Sequence, residues 1–154
     1  MDINEIISPA RVLANLKPSS KKQLLQELAD VGAEETGIES HAIFETLLDR
    51  EKLGSTGVGN GVAIPHAKLP GMDRIVGVFA HLGKPVMFEA VDDQPVDVVF
   101  MLLAPEGSGA DHLKALSRIA RILRNQSTLA SIRSSTDPDA IYSLLTSFEN
   151  ATAA

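Results

Sequence analysis

Gly54-Ser55-Thr56-Gly57-Val58-Gly59-Asn60-Gly61-Val62-Ala63-Ile64-Pro65-His66 is the stretch around which the chain is organised. Its density of glycine argues against a regular helix or strand before Val62, because glycine reaches positive φ and lets other groups approach the backbone closely. Val62-Ala63-Ile64 then reads as a short buried strand, cut off by Pro65, which fixes φ and has no donor. His66 follows at once. Loop, strand stub and rigidly presented imidazole together suggest a reactive histidine beside an anion pocket. A hairpin-like loop followed by an ordinary histidine fits the same residues.

Upstream of this stretch, Arg11-Val12-Leu13 reads as an edge strand closed by Pro18. Ser20-Lys21-Lys22-Gln23 matches a capping box and opens a helix carrying Leu24, Leu25, Leu28 and Val31 at helical spacing, with Gly32 and Gly37 bracketing its end. A second helix runs from about Ser40 to Leu53 on an Ile43, Phe44, Leu47, Leu48 stripe. Arg50 lies in its last turn and Gly54 is its C′ residue.

Downstream, Arg74 to Leu82 is rich in β-formers and Gly83-Lys84-Pro85 breaks the run. Val86-Met87-Phe88 is a short strand or bridge, and Asp92-Asp93-Gln94-Pro95 a turn. Val96 to Leu103 is near-continuously apolar, as a strand buried on both faces should be. Ser108 to Asp111 fits a capping box opening a helix with His112, Leu113, Leu116, Ile119, Ala120 and Leu123 at helical spacing. Ser127 caps a short helix through Ile132. Asp137-Pro138 starts a last helix bearing Ile141, Leu144, Leu145 and Phe148. Asn150 to Ala154 reads as a frayed tail. The order is strand, two helices, about three strands, then three helices. This predicts an α/β fold in three layers, α/β/α, with a small mixed sheet between helices.

The 154 residues suit a single domain, with a core over about 8–148 and a tail at 149–154. A net charge of −6 argues against nucleic acid or an anionic membrane as the main partner. With no cysteine there is no disulfide framework or thiolate nucleophile, which is compatible with a cytoplasmic setting. The first residues show no secretory signal, and no apolar run approaches the roughly 20 residues that span a bilayer, so no membrane insertion is expected.

The four histidines, His41, His66, His81 and His112, match no metal spacing, and no metal is expected. His41 reads as an exposed helix residue and His81 as an ordinary strand residue. His66 and His112 each sit where a glycine-containing loop meets a regular element. His112 falls in the first turn of a helix, where free N–H groups and the dipole attract anions and favour neutral imidazole. Neutral imidazole is the nucleophilic form. His66 as nucleophile, His112 as donor and Arg50 as fixed cation would suit phosphoryl chemistry. The loop lacks the Gly-Lys-Ser/Thr ending of a P-loop, and a strand rather than a helix follows it, so ATP, NAD and other cofactors are not expected.

The run Arg50-Glu51-Lys52-Leu53 continuing through Gly54–His66 to Ala67 resembles the phosphorylation-site signature of the mannitol/fructose-type IIA proteins of the bacterial phosphotransferase system. Phe88-Glu89-Ala90-Val91-Asp92-Asp93-Gln94-Pro95-Val96-Asp97-Val98-Val99-Phe100 and the surroundings of Asp111-His112-Leu113 are similar to its nitrogen-regulatory branch. The resemblance covers about residues 8 to 148. It implies that phosphoryl groups pass from phosphoenolpyruvate through enzyme I and a small histidine phosphocarrier protein to His66, supported by His112 and Arg50. It also implies a mixed sheet between helices, and outputs such as potassium transporters or sensor kinases governed by the phosphorylation state. In the mannitol branch a glutamate stands at the place of Asn60, so this chain departs from the sugar-transport pattern. Ser55, Thr56 and Asn60 are the phosphate-binding candidates; Ser55 and Thr56 either bond phosphate or stabilise the loop. Two other readings fit less well: a detached sugar-specific IIA component donating to a IIB domain, and a non-catalytic regulatory binding module.

Overall fold

The computed structural model describes the backbone of residues 2–153 and the side chains of residues 2–147. A short helix α1 (Ile3–Ile6) and a 3-10 turn (Pro9–Arg11) lead into β1 (Val12–Leu16), α2 (Lys21–Thr36) and α3 (Ser40–Lys52). Five strands follow: β2 (Gly57–Gly59), β3 (Val62–Ala63), β4 (His66–Leu69), β5 (Val76–Val86) and β6 (Val96–Pro105). Helices α4 (Ala110–Arg124), α5 (Gln126–Arg133) and α6 (Pro138–Ala153) complete the chain.

The six strands form one mixed sheet in the order β1-β5-β6-β3-β2, with β4 also on β6. β6 is its axis, antiparallel to β5 and parallel to β3 and β4. Its side chains alternate between two cores, as the period of a strand requires. Val98, Phe100, Leu102 and Ala104 pack with α1, α4, α5 and α6. Val99, Met101 and Leu103 pack with α2 and α3. The result is the expected three-layer α/β/α arrangement, with β1 at one edge. Each fully buried Leu, Ile or Val here contributes about 1.5–3 kcal/mol relative to exposure.

The glycine-rich stretch is more regular than its composition suggests. β2 and β3 form an antiparallel hairpin, with Gly59 opposite Val62. Asn60 and Gly61 make its two-residue turn, at φ 56 and φ 78. Positive φ at both central residues is the Asn-Gly hairpin geometry, so the hairpin-like reading of the loop is the one observed. Pro65 does interrupt the strand, since β3 ends at Ala63 and β4 opens at His66, but the ladder on β6 resumes in step. Val62 and Ala63 pair with Val98 and Val99, and His66 and Ala67 pair with Leu102 and Leu103, with no slip in register between. The Pro65 carbonyl still accepts the Leu102 N–H at 2.9 Å. Proline removes a donor from the ladder and leaves the acceptor.

Other boundaries also move. Gly83-Lys84-Pro85 does not break β5, which continues to Val86 with a register shift after His81; these three residues are exposed, where a missing N–H is tolerated. Gly32 lies inside α2, where a Cβ would come within 2.9 Å of Leu103, so it permits close helix–sheet approach rather than marking an end. Gly37, at φ 75, is the C-cap.

The caps are shared differently from the expected boxes. Ser20 accepts the Gln23 N–H at 3.1 Å, but the Gln23 side chain accepts from the Ser19 N–H. Helix α4 starts from Gly109 with no side-chain cap, and Asn125 rather than Ser127 caps α5 through the Thr128 N–H. Leu113 is 69% exposed and lies off the apolar face of α4. α6 continues through the expected tail to Ala153, since Ala151 and Ala153 favour helix. Ala154 and the Phe148 side chain lie outside the described residues.

Candidate functional site

Alternation along β4 sends Ala67 and Leu69 into the core and leaves half-buried His66 and exposed Lys68 on the other face. His66 Nδ1 lies 2.9 Å from the Ile64 carbonyl oxygen. A carbonyl only accepts, so the neutral ring keeps its proton on Nδ1 and carries its lone pair on Nε2. The first turn of α4 brings His112 against it, ring centroids 5.6 Å apart and planes at 87°. His112 is 4% exposed, and its Nδ1 has no hydrogen-bond partner among the described residues. From the last turn of α3, Arg50 Nη1 donates to the Gly54 carbonyl at 2.8 Å, which pins the guanidinium across the loop entrance. His66, His112, Arg50, Lys68, Thr46 and Leu113 line a shallow depression of about 280 Å³.

Both imidazoles are held below the ordinary histidine pKa. For His66, burial is the main cause and the Arg50 charge adds to it, while the Ile64 carbonyl and Glu51 oppose. Burial also leads for His112, with His66 and Lys68 adding, and its pKa falls to about 4. Both rings are therefore neutral at pH 7. An unfolded His112 takes up its proton near 6.5, so between that pH and about 4 the unfolded state binds more protons. Stability is thus retained above 6.5 and lost as pH falls towards 4. The urea midpoint should drop on acidification from pH 7 to 5, and His112→Gln should flatten that dependence.

The structure brings together His66, His112 and Arg50, but not the three phosphate-binding candidates. Ser55 Oγ donates to the Phe88 carbonyl and accepts the Gly57 N–H, both at 3.0 Å. Thr56 is buried, with its N–H 3.0 Å from Glu51 Oε1 and its hydroxyl 2.5 Å from Glu51 Oε2. The Asn60 N–H donates to Asp92 at 3.0 Å, and its carbonyl accepts from Arg133. None of the three lines the His66 depression. The Ser55 and Thr56 hydroxyls bond to Phe88 and Glu51, and Asn60 bonds through its main chain.

His41 is exposed on α3, with Glu45 one turn on, and His81 is a buried strand residue bonded to the Ser135 carbonyl. Among the described residues no three His, Asp or Glu side chains gather to hold a metal ion. Sequence reasoning missed Lys68 and Glu51, although both left a signal. Lys68 stands two residues after His66 in a strand, hence on its face. Glu51 continues the buried α3 stripe one turn past Leu47 and receives Lys21 at 3.1 Å.

The chain matches the family model described as the phosphoenolpyruvate-dependent sugar phosphotransferase system, EIIA 2, over residues 5–148. A nitrogen regulatory protein of Bradyrhizobium diazoefficiens is 59% identical over 145 residues, covering 94% of this chain and 95% of that protein. One from Pseudomonas aeruginosa is 40% identical over 149 residues, covering 96% and 97%. The crystal structure of nitrogen regulatory protein IIA-Ntr from Neisseria meningitidis superposes with a TM-score of 0.89 at 35% identity, covering 94% of this chain and 99% of that one.

Proposed function

The chain belongs to the EIIA 2 family of the phosphoenolpyruvate-dependent sugar phosphotransferase system, as a nitrogen-type phosphocarrier, and we propose that His66 is its phosphoryl acceptor. The observation that carries this reading is the His66 Nδ1–Ile64 carbonyl bond, which leaves Nε2 unprotonated beside His112 and Arg50. The Nε2 lone pair attacks the phosphorus of the donor. The N–P bond forms as the donor's own bond to phosphorus breaks, and the electron pair leaves with the donor. No proton has to leave His66 first. The positive charge that develops on its ring is stabilised by the Nδ1–H···O=C bond, and the phosphoryl charge by Arg50 and Lys68. His112, neutral, supplies an N–H rather than a charge.

A histidine phosphocarrier protein, loaded from phosphoenolpyruvate by an enzyme I, fits as donor because a half-buried His66 lining a shallow depression suits handover between two proteins. Phosphorylation adds about two negative charges at this surface, which suits regulation of partners that dock there. Regulated potassium transporters or sensor kinases are the outputs this branch suggests. Among the described residues no helix is long and apolar enough to cross a membrane.

The test is transfer from phosphoenolpyruvate through purified enzyme I and carrier. Wild type should acquire an acid-labile phosphoryl group. Arg50→Ala should slow its uptake by about a hundredfold, the effect of losing one preorganised transition-state donor, and His112→Ala should also slow it without unfolding the protein. If wild type takes up no label, or if both variants match it, the reading fails.

A further inference from the structure

A second cavity, of about 350 Å³, lies between the β2–β3 hairpin and α4, away from the His66 depression. Its volume is at the lower end of the range for small-molecule sites, about 300–1,000 Å³. Val58, Val62, Ile64 and Leu123 supply apolar walls, and Asn60 and Arg124 add polar groups. Val62, Ile64 and Leu123 belong to the core, while Val58 is 53% exposed, so this apolar surface is continuous with solvent.

The polar groups here are uncommitted. Arg124 has no hydrogen-bond or ion-pair partner among the described residues, and Asn60 bonds only through its main chain. The neighbouring charges are already satisfied. Asp97 is taken by Arg133 at 2.8 Å, and the Asp92 oxygens accept the Asn60 and Gln94 N–H groups. In a chain of net charge −6, an unpaired guanidinium beside a free amide and an apolar wall is a local attractor for one kind of ligand: a small carboxylate with a branched apolar body.

Ile64 connects this cavity to the phosphoryl site. Ile64 lines the cavity, and its carbonyl accepts the His66 Nδ1–H. A ligand that moves Ile64 changes the hydrogen bond that keeps Nε2 free. We propose that the hairpin–α4 cavity is a regulatory site for a small branched carboxylate, coupled to His66 through Ile64. The coupling rests on the reading of His66 given above; the binding does not.

Isocaproate is a suitable probe, with isocaproamide as its uncharged counterpart and an acidic leucine-containing tripeptide as a stand-in for a protein segment. Titrated into the full chain and followed by nitrogen–proton NMR, isocaproate should give saturable shifts at Val58 to Ile64 and Ala120 to Arg124, with a dissociation constant of about 0.1–1 mM, within reach of so small a ligand. Arg124→Ala, at an exposed position, should weaken binding about tenfold or more, and Arg124→Lys should restore part of it. Saturating isocaproate should also shift the His66 ring nitrogens and change the phosphoryl uptake rate of wild type at least twofold, but not that of Arg124→Ala at the same concentration.

No saturable shift, shifts elsewhere, equal binding of the amide, or unchanged binding by Arg124→Ala each overturns the site. Binding of the tripeptide alone overturns the small-molecule assignment in favour of a protein contact. Binding that leaves the His66 ring unmoved overturns the coupling. If wild type takes up no phosphoryl group at all, the reading of His66 fails while the binding result stands.

Discussion

His66→Ala should carry no acid-labile phosphoryl group and should still fold. The ring is half-buried at the start of β4, and its removal leaves the Ile64 carbonyl without that partner, at a cost of about 1 kcal/mol. The loss of labelling should be complete, because His112 is a poor substitute: it is 4% exposed, against a half-buried His66, and its Nδ1 is buried. In wild type the phosphoryl group should sit on Nε2, which nitrogen–phosphorus coupling in NMR can distinguish. The same spectra offer a second readout. A phosphoryl group beside His112 brings opposite charge next to a ring whose pKa is about 4 in the free protein. That pKa should rise by about 1–3 units on phosphorylation, the effect of an opposite charge within a few ångströms. Label persisting on His66→Ala would remove His66 from the mechanism, and an unmoved His112 pKa would place the phosphoryl group away from it.

Glu51→Ala should be the most destabilising single change near the site. The Glu51 carboxylate is buried and accepts from the Thr56 N–H, the Thr56 hydroxyl and Lys21. Lys21 in turn lies over the Phe88 ring, 4.5 Å from its centroid, and the Phe88 carbonyl accepts the Ser55 hydroxyl. One carboxylate thus joins α2, α3, the glycine-rich loop and the segment after β5. Removing one partner of a buried charge pair costs about 3–5 kcal/mol. The Lys21 side chain is 16% exposed and lies 4.0 Å from Glu89, so a cost near 3 kcal/mol is expected. For a domain of this size that lowers Tm by roughly 6–12 °C. Glu51→Gln keeps an acceptor for Thr56 and should lose less than half as much. Thermal unfolding of the two variants decides the matter: equal losses, or losses within the noise of a surface substitution, would mean that the carboxylate does not hold the loop.

The layers were legible because their signals are additive. A near-continuous apolar β6 and helical stripes on α2, α3 and α6 admit few arrangements, and the observed one has helices on both faces. The caps were harder, since Ser19 lies next to Ser20 and Asn125 lies two residues before Ser127, and geometry alone selects among neighbours. The Asn60-Gly61 pair was a hairpin signal outweighed by the number of glycines around it. His66, His112 and Arg50 could be paired on residue type and resemblance, and the fold brings all three to one depression. The hydroxyls of Ser55 and Thr56 could not be assigned that way. Their partners, Phe88 and Glu51, are reached only through tertiary packing.

The register of β3 and β4 along β6 runs on without a slip across Pro65. His66 stands on β4, which is paired to the central strand β6, rather than on a free loop, so on the proposed function a phosphoryl group arriving there has little backbone to displace. The charged and uncharged forms should superpose almost atom for atom. On the proposed function, a partner would read charge rather than shape, and its preference for one form over the other should fade as ionic strength rises.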